Sequence, residues 1–153
     1  MRLGVIADTH GLLRPEALDA LRGSEHILHA GDIGAAGVLD ALGAIAPVTA
    51  IRGNNDTARW AAHLPDTHRL VLGGIAFYML HDLKELHARP PLQAVDVVVV
   101  GHSHRPLVEH RADGLLVVNP GSAGPRRFRL PVSVARLDID EGRVRASIIE
   151  LAV

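Results

Sequence analysis

The residues best suited to chemistry in this chain are carboxylates, an amide and imidazoles that each follow a short apolar run. Asp8 and His10 sit in "ADTHG", Asp32 in "AGDIG", Asn54 in "RGNND", His81 in "MLHD", and His102 and His104 in "VVVVGHSH". Oxygen and imidazole donors without sulfur suit borderline transition ions better than calcium or a thiolate zinc centre. Seven such donors exceed what one four-coordinate ion can use. Two ions about 3.5–4 Å apart, sharing a carboxylate, would use them all. A water shared between the ions would be acidified toward a pKa near 7 and become the nucleophile.

Each fragment alone is weak. "DTH" reads equally as a turn or a helix cap, and "GNND" is built from residues that dominate turns for conformational reasons. "GHSH" after a β-branched run is less ordinary, because alternate residues of an extended segment point to one side and would present both imidazoles together. The joint pattern carries the weight. Every fragment falls at the end of an expected strand, and ligands of open α/β sheets gather outside the strands' carboxyl ends.

The elements that must position these groups can be read from periodicity. "RLGVIAD", "HILHAGD" and "PVTAIRGNND" read as buried strands, separated by the helical patterns "RPEALDALRG" and "AAGVLDALG". Strand and helix in alternation imply βαβ units and parallel pairing. After residue 67 the pattern changes to hairpins, hinged at Gly73-Gly74, Asp113-Gly114 and Glu141-Gly142. "DLKELHAR" has room for one or two helical turns before Pro90-Pro91. "DVVVVG" is continuous enough to be covered on both faces. A parallel half and an antiparallel half predict two sheets packed face to face with helices outside, a four-layer αββα sandwich of class α/β. No linker, repeat or low-complexity tract divides residues 1–153, so one domain is expected.

Composition excludes several function classes. The 153 residues are 48% apolar, carry a formal charge of −1 and contain no cysteine. Disulfides and cysteine nucleophiles are therefore absent, and there is no electrostatic reason for bulk nucleic-acid or membrane binding. Four aromatic residues make a base-stacking surface improbable on composition, whereas the ten histidines are numerous. The apolar stretch before Asp8 is too short for a signal or membrane segment, and a cytoplasmic location is expected.

The ordered set D-x-H, G-D, G-N-x-D, H and G-H-x-H resembles the calcineurin-like metallophosphoesterase superfamily. It is similar within it to the small single-domain bacterial and archaeal phosphodiesterases. "NPGSAGPRR" (119–127) also resembles a loop of that branch. The resemblance implies an αββα sandwich, a small phosphoester substrate and two divalent transition ions, with manganese the first candidate and iron, nickel, cobalt or zinc the others. It implies that Asp8, His10, Asp32 and His104 hold one ion, that Asp32, Asn54, His81 and His102 hold the second, and that Asp32 bridges them. It also implies homo-oligomerisation, as a dimer or tetramer. The expected activity is phosphodiester hydrolysis. The alternatives are a phosphomonoesterase and a protein-interaction scaffold on the same fold, for which a complete ligand set has no chemical use.

One position departs from the wider superfamily. Many members read G-N-H-E/D, and that histidine donates a proton to the leaving group. Here the position is Asn55, whose amide can hydrogen-bond a phosphoryl oxygen but cannot act as a general acid near neutrality. Asn55, Asp32 and His10 are the expected catalytic positions, His10 being a histidine close enough in the pattern to supply a proton. His29, on the strand that leads to Asp32, either supports the site or packs in the core. Arg126, Arg127 and Arg129, framed by Pro125 and Pro131, either meet substrate phosphate or are solvated. No long insertion would cap the site, so an open site is expected.

Overall fold

The computed structural model describes residues 1–153, and its ten strands pair into two five-stranded sheets. The first sheet contains β1 (Arg2–Ile6), β2 (His26–His29), β3 (Val48–Ala50), β9 (Ser133–Asp140) and β10 (Arg143–Glu150), in the order β10-β9-β1-β2-β3. The second contains β4 (Thr67–Leu72), β5 (Ile75–Leu80), β6 (Val97–Val99), β7 (Leu107–His110) and β8 (Leu116–Asn119), in the order β4-β5-β6-β8-β7. Two α-helices, α1 (Pro15–Leu21) and α2 (Ala36–Gly43), make the β1-β2-β3 crossovers.

The three hairpins turn where the glycine signals place them, and the sandwich of two mixed sheets is as expected. The division into a parallel and an antiparallel half is not. The last hairpin leaves the second sheet and joins the first, with β9 antiparallel to β1, while β5, β6 and β8 of the second sheet are parallel to one another. Sheet membership is a long-range choice. β9 has alternate residues buried on the first sheet, and its local pattern fits either partner equally.

Strand alternation builds the layers. Leu3, Val5, Leu28, Phe77, Met79, Val97, Val99, Val118 and Leu137 are buried between the sheets. The opposite face of the first sheet offers Ile6, Ile27 and Val134 to Ala17, Leu21, Val38 and Leu42 of the helices. Gly4 lies under α1, where a Cβ would stand 2.6 Å from Leu21 Cδ2 and 2.8 Å from Ser24 Oγ, so a larger residue would force those side chains to repack. The outer face of the second sheet is covered more thinly. Tyr78, Val98 and Val117 are buried under one 3₁₀ turn at Leu83–Glu85 and the loop beyond it, which Tyr78 Oη anchors by donating to the Arg89 carbonyl at 2.6 Å. Phe77, fully buried between the sheets, is where truncation to alanine would cost about 3–5 kcal/mol. No helix is long and apolar enough to cross a membrane.

This topology fixes where the polar residues go. The parallel strands β1, β2 and β3 of one sheet, and β5, β6 and β8 of the other, deliver their carboxyl ends to one edge of the sandwich.

Candidate metal centre

The sheet edge gathers two groups of ligand-type side chains, Asp8 with His10 and His104, and Asp32 with His81 and His102. Asp8 Oδ1 lies 3.8 Å from His10 Nε2, 3.5 Å from His104 Nε2 and 3.8 Å from His81 Nε2. Asp32 Oδ2 lies 3.2 Å from His81 Nε2 and 3.7 Å from His10 Nε2. Both carboxylates therefore face both groups. Asn54 joins the second through its Oδ1, 3.2 Å from His102 Nδ1. All seven residues singled out from the sequence as ligands thus come together.

The backbone that brings them there is unusual. Asp8, His10, Asp32, His102 and His104 all have φ between 46° and 71°, the left-handed region that residues with a Cβ seldom occupy. Such strain persists where the surroundings over-determine it, and it clusters at functional sites. It also corrects the alternation argument for "GHSH". β6 ends at Val99, and His102 and His104 are not extended, so they turn to different groups rather than presenting side by side. Glycine makes the close approach feasible: a Cβ on Gly53 would collide with the Asp32 carboxylate, and one on Gly31 would stand 2.7 Å from His81 Nδ1.

Backbone donors aim the side chains. His102 N–H donates to Asp8 Oδ2 at 3.0 Å, which leaves Oδ1 toward the histidines. Asn55 donates twice to Asp32, from its backbone N–H to Oδ1 at 2.9 Å and from its side-chain amide to Oδ2 at 3.1 Å. His81 Nδ1 donates to the Ala30 carbonyl at 2.7 Å, an arrangement that fixes its tautomer and turns the Nε2 lone pair into the site.

Two residues behind the site were not given a role from sequence. Asp56, buried, accepts from the backbone N–H groups of Ile33, Gly34 and Gly53 at 3.0, 3.0 and 2.9 Å. It ties the loop after β2 to the loop after β3, and its place in "GNND" was the available signal. Thr9 donates to the Ile33 carbonyl at 2.8 Å and meets His29 Nε2 at 3.0 Å, while His29 Nδ1 accepts from Gly31 N–H at 3.2 Å. His29 is therefore support rather than ligand. The "NPGSAG" loop closes the back: Ser122 Oγ donates to the Asp8 carbonyl at 3.0 Å, and Asn119 Nδ2 to the Gly101 carbonyl at 3.0 Å.

The arginines divide. Arg126 holds the C-terminus by donating to the Val153 carbonyl at 2.9 Å, whereas the charge of Arg127 reaches Asp8 and His104. Between Arg127 and Arg129, Phe128 is 92% exposed.

The electrostatics are those of anions short of a cation. Burial pushes the Asp8 carboxyl up to about 7, partly opposed by His81 and reinforced by the charge of Asp32. Burial also works to raise Asp32, but the His81 imidazole 3.2 Å away and the hydrogen bond from the Asn55 N–H outweigh that and hold it down at about 2. Burial, then Arg127 and His10, lowers His104 to about 4, and burial, then the charge of His81, lowers His29 to about 3.

Of the six buried side-chain atoms without a hydrogen-bond partner, four belong to this site: Asp8 Oδ1, His10 Nε2, His81 Nε2 and His104 Nδ1. Leaving such groups unpaired in a protein interior costs about 1–3 kcal/mol each. Asp8 Oδ1 stands 3.8 Å from His10 Nε2 and from His81 Nε2, a few tenths of an ångström wider than the about 3.0–3.4 Å that separates donors on bonds of about 2.1 Å, so a small inward shift would bring them onto cations. The donor set and the orphaned atoms fit divalent metal.

Known proteins give the same reading. The sequence model of the calcineurin-like phosphoesterase superfamily domain matches residues 1–142. A probable metallophosphoesterase of Methanothermobacter thermautotrophicus is 34% identical over 161 residues, covering 97% of this chain and 92% of its own. Among solved structures, the fold is similar to Vps29 of Chaetomium thermophilum, with TM-score 0.78 and 21% identity over 99% of this chain and 96% of that one. It is similar also to an archaeal phosphodiesterase, with TM-score 0.77 and 24% identity over 97% of this chain and 100% of that one. Membership of such a family implies phosphoester chemistry and divalent metal ions. The chain belongs to the calcineurin-like phosphoesterase superfamily.

Proposed function

We propose that this chain is a phosphodiesterase that works with two divalent transition ions. Asp8, His10, Asp32 and His104 would hold one ion, and Asp32, Asn54, His81 and His102 the other, with manganese the first candidate. The observation that carries this reading is the convergence of the two ligand-type groups around buried, unpartnered donor atoms at one sheet edge. When bound, the ions supply Lewis acidity at phosphorus and acidify the attacking water.

The chain's own residues do the rest. His102 N–H, the two donors of Asn55 and the Ala30 carbonyl hold Asp8, Asp32 and His81 in single orientations, so little reorganisation accompanies reaction. The positive charge of Arg127 is felt at Asp8 and at His104, and such a field would draw an anionic ester. Asn55 spends its side-chain amide on Asp32 and carries no acidic proton, so it positions and does not protonate. His10 Nε2 faces both carboxylates and serves as a ligand before it can serve as an acid.

A diester is favoured over a monoester by charge. The space beside His81 and His102 is walled by three further carboxylates, Asp66, Asp82 and Glu85, against two guanidiniums, Arg52 and Arg89, a net negative lining that disfavours a dianion. The likeness to Vps29 keeps a scaffold reading in play as the contrast. The test is hydrolysis of bis(p-nitrophenyl) phosphate and p-nitrophenyl phosphate by protein loaded with manganese, cobalt, nickel or zinc. Faster turnover of the diester supports the proposal. Preference for the monoester replaces it with a phosphomonoesterase, and failure to bind any metal replaces it with a scaffold.

A further inference from the structure

Beside the candidate metal centre, and sharing Asn54, His81 and His102 as a wall, lies a cavity of about 190 Å³ whose lining includes no hydrophobic residue. Its outer wall is an alternating array of charges. Arg52 Nη2 lies 3.2 Å from Asp66 Oδ1, Arg89 Nη1 lies 3.9 Å from Asp66 Oδ2, and Arg89 Nε lies 3.9 Å from Glu85 Oε2.

The spacing separates two kinds of contact. At 3.2 Å, Arg52 holds Asp66 in place. At 3.9 Å, Arg89 is beyond hydrogen-bond reach of both Asp66 and Glu85, so its donors and their oxygens are not spent on one another. The cavity therefore offers open donors and open acceptors side by side. A hydroxyl is the group that satisfies both, because it donates one hydrogen and accepts at its lone pairs. Other occupants fit poorly. No aliphatic side chain lines it, so an acyl chain has nothing to lie on, and the planar groups a base could stack on are the His81 and His102 rings, which the proposed function commits to metal, and the two guanidiniums, which face the carboxylates. Two guanidiniums against three carboxylates leave no surplus positive charge for a second phosphate.

We propose that this cavity is the subsite for one ester group of the substrate and that it takes a polyhydroxylated alcohol of glycerol or sugar class, with Arg89 and Glu85 as specificity-determining residues. The proposal rests on the phosphodiesterase reading above. The cavity opens directly on His81 and His102, so a diester whose phosphorus lies at the ligand groups can extend its alcohol into the array. Arg89 is well placed for this work, since its carbonyl is anchored by Tyr78 Oη and its own N–H donates to the Glu85 carbonyl at 2.8 Å.

The test compares two substrates of matched inductive pull, methyl glyceryl phosphate and its di-O-methyl ether, which lacks the hydroxyl donors. Bis(p-nitrophenyl) phosphate in the same metal-loaded assay reports the basic reaction. The expected wild-type ratio of kcat/KM is at least about tenfold in favour of free hydroxyls. In Arg89→Met and Glu85→Gln that ratio falls toward one. Both side chains are about half exposed, at 52% and 54%, so these variants keep the core intact. A ratio near one in the wild type, or a ratio that neither substitution moves, overturns the subsite while turnover of the aryl diester leaves the reaction standing. Failure to hydrolyse any of the three esters overturns both.

Discussion

The two ligand groups meet at facing carboxylates but differ in how the fold encloses them. Asp8 and His104 are buried, and the strained loop that carries Asp8 is backed by Ser122 and by Gly124, whose Cβ would collide with Thr9. The other group has a buried floor, Asp32 and His81, but its outer member His102 has a side chain 44% exposed and forms the wall of the polar cavity. The contrast separates retention from access. A group sealed from behind has little freedom to exchange what it holds, whereas one that opens on a cavity is where a substrate can displace water. Buried anions that cannot be neutralised by solvent make the enclosed group dependent on metal for its own stability.

The sharpest way to break this comparison is to remove what the two halves share. Asp32→Asn is expected to reduce hydrolysis to background and to empty both halves, because Asp32 Oδ2 faces His10 as well as His81. Metal analysis after dialysis and a diester assay would check it. Near wild-type rate with full metal content would mean that Asp32 is not shared. Asp8→Asn should be equally severe, since Asp8 Oδ1 stands 3.8 Å from both histidines.

Stability against pH tests the enclosed half directly. In metal-free protein the Asp8 carboxyl titrates near 7 when folded and near 3.8 when unfolded. The unfolded chain thus binds fewer protons between those values, so this group makes stability fall as pH rises from about 4 to 7. His29 and His104 act oppositely. They titrate near 3 and near 4 in the fold against 6.5 unfolded, so their contribution is lost as pH falls below 6.5. Burial works to lower His81, but the Asp32 carboxylate 3.2 Å away and the bond to the Ala30 carbonyl outweigh it and raise it, so its contribution is lost as pH rises through its folded value.

Together these predict a maximum in the metal-free melting temperature near pH 6.5 and a decline by pH 8. Metal removes the penalty on ionised Asp8, so the gap in Tm between loaded and chelated protein should widen from pH 6 to pH 8. Ionising a carboxylate whose pKa is raised from 3.8 to about 7 costs about 4 kcal/mol in all, of which about 1 kcal/mol accrues above pH 6, and each kcal/mol moves Tm by about 2–4 °C at this chain length. Asp8→Asn should close the gap and raise the metal-free Tm at pH 8. A gap independent of pH would show that Asp8 is not the group metal neutralises.

Much of this architecture was legible in the sequence, for a physical reason. A β-branched run such as Val97–Val100 has one comfortable home, a strand covered on both sides, and a ligand-type residue at its end is then placed by topology. The hairpin turns at Gly73, Gly114 and Gly142, all at positive φ, were equally plain, because glycine is the residue that tolerates those angles. Three things were not legible. The transfer of β9 and β10 to the first sheet depends on which partner wins a long-range competition. The left-handed φ of Asp8, His10, Asp32, His102 and His104 leaves no compositional trace, since these residues are chosen for their side chains. The tying role of Asp56 and Asn55 was marked only by their place in "GNND", because a turn residue and a residue that ties two loops together look alike in one dimension.

A smaller effect sharpens the difference between the halves. After dialysis, His102→Ala is expected to keep about one ion per chain, held by the enclosed group, while His104→Ala loses that ion preferentially. Diester hydrolysis falls in both, but added metal should restore His102→Ala better. The same stoichiometry in both variants would mean that enclosure does not govern retention.

The smallest expected effect concerns Asn55, which touches the reaction through Asp32. Asn55→Ala removes the 3.1 Å bond to Asp32 Oδ2 and keeps the backbone bond to Oδ1, so Asp32 is loosened and not released. Losing one partner that orients a ligand typically costs 10–100-fold, and with the second bond intact the lower end, about tenfold, is expected. The form of the loss matters more than its size. A residue that acts by orienting Asp32 lowers the rate for good and poor leaving groups alike, so a plot of log rate against leaving-group pKa shifts down without changing slope. A residue that stabilised the departing oxygen would steepen the slope instead, because poor leaving groups need that help most. The wild-type slope should already be steep, since Asn55 has no proton to give and its amide is committed to Asp32. Measuring the series for wild type and Asn55→Ala decides between the two. A slope that steepens on truncation would move Asn55 from the support of Asp32 to the leaving group itself.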